Sequence, residues 1–112
     1  MKIFIDSANL EDICDCLDTG LIDGVTTNPS LIAKSGMSPE LVYDRLAEEG
    51  VSDISMEVMG TKDQMSREAM QLFSKYKEVA TIKLPMTKDG LAVCRELSPL
   101  GIRTNVTLIF NA

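Results

Sequence analysis

The stretch Thr81-Ile82-Lys83-Leu84-Pro85-Met86-Thr87 decides how the chain is read. It is a short apolar β-type run with one lysine in its middle and a proline that closes it. Alternate side chains of a strand point to opposite faces, so Ile82 and Leu84 face one way and Thr81 and Lys83 the other. An ammonium in such a run is either a solvated edge group or a group held inward for chemistry. The neighbouring strands decide between the two.

Toward the N-terminus, Ile54-Ser55-Met56-Glu57-Val58 repeats the pattern, with Ile54, Met56 and Val58 on an apolar face and Ser55 and Glu57 on a polar one. Gly24-Val25-Thr26-Thr27-Asn28-Pro29 reads as a strand with Thr26 and Asn28 on one face, halted by a proline that has no donor. Ile3-Phe4-Ile5-Asp6 opens the chain as a strand ending in an acid. Toward the C-terminus, Thr104-Asn105-Val106-Thr107-Leu108-Ile109-Phe110 is the last strand.

Helical periodicity fills the gaps. Leu10, Ile13, Cys14 and Leu17 form a buried stripe with Gly20 as its stop. Ser38-Pro39 starts a helix through Leu41, Val42 and Leu46 to Gly50. Thr61-x-x-Gln64 is a capping box ahead of Met65, Ala69, Leu72, Phe73 and Tyr76. The fourth helix begins near Thr87, with Leu91, Cys94 and Leu97 inward and Gly101 near its stop. The order is βαβαβαβαβ in one domain over residues 1–112, without linker or low-complexity segment. Right-handed βα units predict parallel strands covered by helices. A doubly wound nucleotide binder would carry a Gly-rich first turn, but that turn is Asp6-Ser7-Ala8-Asn9, so a (β/α) barrel is favoured.

Strands of an open parallel sheet are buried on both faces and tend to be apolar throughout. Here each strand keeps one polar group or pair near its C-terminal end: Asp6, Thr26 with Asn28, Glu57, Lys83, and Asn105 with Thr107. Singly, Asp6 and Asn28 suit caps or turns, Glu57 a solvated strand end, and the threonines ordinary β positions. Together, in one parity, they predict a shared polar site at the C-terminal rim of a barrel.

Composition limits the chemistry. The 112 residues carry a net charge of −6 and are 45% hydrophobic, which suits one modest core and argues against nucleic-acid or anionic-membrane surfaces. No run approaches the ~20 apolar residues of a membrane span. There is no histidine, the commonest general base and metal ligand. Cys14, Cys16 and Cys94 make an odd count, and no signal-peptide pattern precedes them, so the expected compartment is the reducing cytoplasm. Cys14 and Cys16 are two apart on a helix and do not share a face, so no metal site is expected. A lysine beside apolar groups such as Ile82, Leu84 and Met86, with two carboxylates to move protons, suits Schiff-base chemistry on a ketone without metal or cofactor.

The motifs Phe4-Ile5-Asp6-Ser7-Ala8-Asn9, Gly24-Val25-Thr26-Thr27-Asn28-Pro29-Ser30-Leu31, Lys83-Leu84-Pro85-Met86-Thr87 and Thr104-Asn105-Val106-Thr107-Leu108 closely resemble the small transaldolase and fructose-6-phosphate aldolase family. The resemblance covers essentially the whole chain. It implies a class I barrel in which Lys83 forms the Schiff base and Asp6 is the base at the departing hydroxyl. Glu57 and Thr107 would hold the catalytic water, Asn28 and Asn105 would bind substrate hydroxyls, and Thr26 would neighbour them. Glutamate rather than glutamine at position 57 implies a transaldolase moving a dihydroxyacetone unit between ketose and aldose phosphates of the pentose phosphate pathway. Fructose-6-phosphate aldolase-type cleavage is the alternative within the family.

Chains of that family are about twice as long, and a full eight-stranded barrel needs three more βα units. The expected fold is therefore a parallel (β/α) barrel of TIM type truncated to about five strands and four helices, its N-terminal half. The resemblance puts the substrate-phosphate arginine in the absent half, and Arg45, Arg67, Arg95 and Arg103 do not replace it. Unpaired edges of a half-barrel predict a homo-oligomer or self-association, and a non-catalytic self-associating half-barrel is the reading from a different class.

Overall fold

The computed structural model describes residues 3–107, Thr107 by its backbone alone. The expected strand residues Leu108, Ile109 and Phe110 lie outside the described residues. Five strands follow one another in the order β1-β2-β3-β4-β5. They are β1 (Phe4–Asp6), β2 (Gly24–Thr26), β3 (Ile54–Glu57), β4 (Ala80–Pro85) and β5 (Arg103–Thr107). The β1–β2, β2–β3 and β4–β5 ladders are parallel. A doubly wound sheet reverses its order at a switch point, whereas a barrel winds in one direction. The sequential order is that of a TIM-type α/β barrel.

Among the described residues there are five α-helices rather than the four expected: α1 (Leu10–Leu17), α2 (Pro29–Ser35), α3 (Pro39–Glu48), α4 (Lys62–Tyr76) and α5 (Lys88–Leu97). Helix α2 corrects the reading of Gly24–Pro29 as one strand. β2 stops at Thr26, Asn28 accepts from Leu31 N through its side chain, and Pro29 takes the first helical turn. Proline ends a ladder and starts a helix for the same reason, the missing N–H. Gly36 closes α2 with φ 73°, a left-handed cap that costs glycine little.

Two compact units divide within β3, after Ser55. In the first, Ile13, Val25, Ile32, Val42, Leu46 and Ile54 are buried, and α3 neighbours both α1 and α2. Ser38 caps α3 as expected, but Leu41 is 47% exposed while Val42 and Tyr43 turn inward. In the second unit, Val58, Ile82 and Leu84 pack with Met65 and Ala69 of α4, Val93 and Leu97 of α5, and Ile102. The Thr61–Gln64 capping box forms in both directions. Leu91, expected inward, is 48% exposed, because the inward stripe of α5 is Gly90, Val93 and Leu97. Cys94 is partly buried against the core and lies 3.3 Å, Sγ to Oγ1, from Thr104.

Candidate functional site

In the first unit, Asp6 and Thr26 each end their strands, and the ladder pairs them directly. Paired residues of a parallel ladder point to the same face. The next pairing, Thr26 with Ser55, brings Ser55 to that face as well. Ser55 is buried; it is not among the sequence-predicted site residues, although its parity with Glu57 in the sequence could have pointed to it. Asp6 is exposed, and Thr26 is half-buried. Thr27, of opposite parity, is fully buried and donates Oγ1 to the Ser55 carbonyl at 3.2 Å. It fixes the end of β2 so that Thr26 and the segment after it are held in place. Asn28 is half-buried and spends Oδ1 on the amide of Leu31 at 2.9 Å. Its amide nitrogen keeps two donors.

In the second unit, β4 realises the parity read from Thr81–Thr87. Ile82 and Leu84 are 0% exposed against the helices, and Lys83, of opposite parity, is half-buried. The β4–β5 ladder pairs Lys83 with Asn105 and Pro85 with Thr107. Lys83 and Asn105 therefore share a face, and Asn105 is exposed there. Glu57, half-buried, ends β3, and the next residue donates its amide to the Lys83 carbonyl at 3.1 Å. Met86, expected to share in burying the lysine, is itself 43% exposed.

The arginines are placed as expected in α3, α4 and α5 and at the start of β5, where Arg103 donates to the Glu78 carbonyl. The cysteines are free. Burial first, and then the Glu49 carboxylate, push the Cys14 thiol above its ordinary value. That favours the unreactive thiol form. Among the described residues, no three His, Cys, Asp or Glu side chains come together as a metal site, and no helix is long and apolar enough to cross a membrane.

Within the second unit, the amine of Lys83, the amide of Asn105 and the carboxylate of Glu57 stand on β4, β5 and the end of β3, groups of the kind that imine chemistry uses. The family model for Transaldolase/Fructose-6-phosphate aldolase matches residues 3–112. A "Probable transaldolase" of Geobacter metallireducens is 50% identical over 115 residues, covering 100% of this chain and 52% of that protein. Proteins of the same name from Thermodesulfovibrio yellowstonii and Nitrosopumilus maritimus are 45% and 41% identical, each over 99% of this chain and 52% and 50% of their own lengths. The chain thus spans about half the length of the curated relatives it matches. By the match along residues 3–112 and by these relatives, the chain belongs to the transaldolase/fructose-6-phosphate aldolase family.

Proposed function

We propose that the chain is the N-terminal half, residues 1–112, of a (β/α)8 barrel that transfers a dihydroxyacetone unit between ketose and aldose phosphates. The observation that carries the reading is Lys83, half-buried on the face of β4 opposite the fully buried Ile82 and Leu84 and paired with Asn105. Neutral Lys83 Nζ attacks the C2 carbonyl of a ketose phosphate, and loss of water from the carbinolamine gives an iminium. The C3–C4 bond breaks with its electron pair drawn into the iminium, leaving an enamine, as Asp6 takes the proton of the C4 hydroxyl. The enamine then adds to the carbonyl carbon of an acceptor aldose phosphate, and Asp6 returns the proton. Glu57 and Thr107 hold the water that enters and leaves with the Schiff base. Asn28 and Asn105 bind substrate hydroxyls beside Thr26. The substrates would be fructose 6-phosphate or sedoheptulose 7-phosphate with erythrose 4-phosphate or glyceraldehyde 3-phosphate, in a cytoplasmic pentose phosphate pathway.

The test is incubation of the folded chain with fructose 6-phosphate and borohydride, followed by peptide mass analysis. A reduced secondary amine on Lys83 is the expected product. Folded protein with no adduct on Lys83 overturns the reading for this chain. Glu57→Gln should move activity from transfer toward free aldol cleavage, read as the ratio of transferred to released product. An unchanged ratio removes Glu57 from the water relay.

A second reading, a non-catalytic half-barrel that self-associates, has support in β1. This strand ends the strand order, and its residue Phe4 and the preceding Ile3 are exposed apolar groups. Exposed strand edges of that kind invite pairing with another chain. Sedimentation of the untreated chain distinguishes the two: a monomer excludes self-association, and an oligomer without adduct supports it.

A further inference from the structure

The first turn of α5 is built around a glycine that the helix itself does not need. Gly90 has no positive φ, and glycine inside a helix costs about 1 kcal/mol relative to alanine. It is nevertheless buried there. A Cβ at this position would fall on the carbonyl oxygen of Pro85, well inside van der Waals contact, and 3.2 Å from Thr87 Oγ1. The oxygen belongs to backbone, so no side chain can swing aside to make room. Two hydrogen bonds close the same corner. Thr87 N donates to Pro85 O at 2.8 Å, and Gly90 N donates to Thr87 Oγ1 at 3.0 Å.

The residue clamped in this way is the last of β4, and Lys83 precedes it on the same face. Pro85 has no amide hydrogen with which to hold itself in a ladder. Its carbonyl, seated on the bare Cα of Gly90 and bonded to Thr87, supplies part of what the ladder lacks. We infer that Gly90 and Thr87 are positioning residues for Lys83: the first turn of α5 sets the end of β4, and through it the placement of the lysine amine. The functional consequence rests on the Schiff-base reading of Lys83, while the positional claim stands apart from it.

The test uses Gly90→Ala beside Val93→Ala, which removes a buried core side chain from the same helix beyond its first turn. Lysines of the folded chain are reductively methylated with 13C-formaldehyde. The Lys83 dimethylamine resonance is then followed through a pH titration, with circular dichroism giving the folded fraction. The Lys83 signal should shift and titrate differently in Gly90→Ala, and should match wild type in Val93→Ala. Thr87→Ser, which keeps the hydroxyl, should match wild type, and Thr87→Val should follow Gly90→Ala. Borohydride trapping with fructose 6-phosphate should be roughly a hundredfold slower per folded molecule in Gly90→Ala, since a displacement near 1 Å has about that effect on a reacting group. A Lys83 signal unmoved in folded Gly90→Ala, or moved equally in Val93→Ala, overturns the inference. If Gly90→Ala does not fold, Thr87→Val decides by the same signal. Should wild type trap no sugar while the signal still moves in Gly90→Ala, the Schiff-base reading fails and the positioning role survives.

Discussion

In residues 3–55 the strands β1 and β2 are three residues long, and their starts are tied by polar links. Ile3 N donates to Asp23 Oδ2 at 2.6 Å, Asp23 N donates to the Ile3 carbonyl at 2.7 Å, and Ser52 Oγ donates to the Asp23 carbonyl at 3.0 Å. In residues 56–107, β4 and β5 are six and five residues long, and one face of β4 is sealed by an apolar cluster from two helices. Each unit also has a glycine that only glycine fits, at opposite ends of the strands. Gly24 begins β2, where a Cβ would meet Asp53 O and Phe4 Cε2 at 2.6 Å, whereas Gly90 sits against the end of β4. In βα barrels the C-terminal ends of strands carry chemistry and the N-terminal ends carry stability. On the proposed role of Lys83, the same device serves stability in the first unit and the placement of a reacting group in the second.

The sharpest break in that comparison comes from Lys83→Met. The variant should keep its circular dichroism spectrum and lose borohydride trapping altogether, and any adduct that persists must sit on another lysine. Leu84→Ala should come next, at about 2–5 kcal/mol in urea unfolding, because it empties a fully buried position of the second unit's core. Hydrogen exchange should then rise in residues 56–107 before residues 3–55. A uniform rise would mean that the two units open together. Gly24→Ala should cost about 1–3 kcal/mol through overpacking while leaving trapping per folded molecule at the wild-type rate. Slowed trapping would erase the contrast between the two glycines. Smallest is Thr61→Ala, which removes half of the capping box on α4 and should cost about 1 kcal/mol in the same unfolding assay.

Much of this was legible in the residues because the signals were local. The alternation around Lys83, the Ser38-Pro39 start and the Thr61–Gln64 box depend on neighbours within a few positions, and each formed as read. Helix α2 escaped because Asn28-Pro29 is equally good at stopping a strand and at starting a helix, and only the bond to Leu31 N separates the two. The inward stripe of α5 escaped because one of its members, Gly90, has no side chain to register as apolar. Leu91 drew the expectation instead and lies outside. At the candidate site, residue type and parity were legible for Asp6, Thr26, Glu57, Lys83 and Asn105. Their unequal exposure was not, because it depends on atoms far away in sequence. Met86 shows this most simply, since its place beside Pro85 in the sequence says nothing of its 43% exposure.

Asn28 has a consequence of its own. Its two ends are divided between tasks: the oxygen caps a helix, and the nitrogen is left over. Aspartate caps as well as asparagine does but replaces two donors with an acceptor-only group. Asn28→Asp would therefore leave the helix start in place while inverting what a ligand hydroxyl meets there. A position with that property can drift in preference without a toll on folding. If Asn28 binds a substrate hydroxyl as proposed, it is a convenient place for redesigning which sugar is accepted.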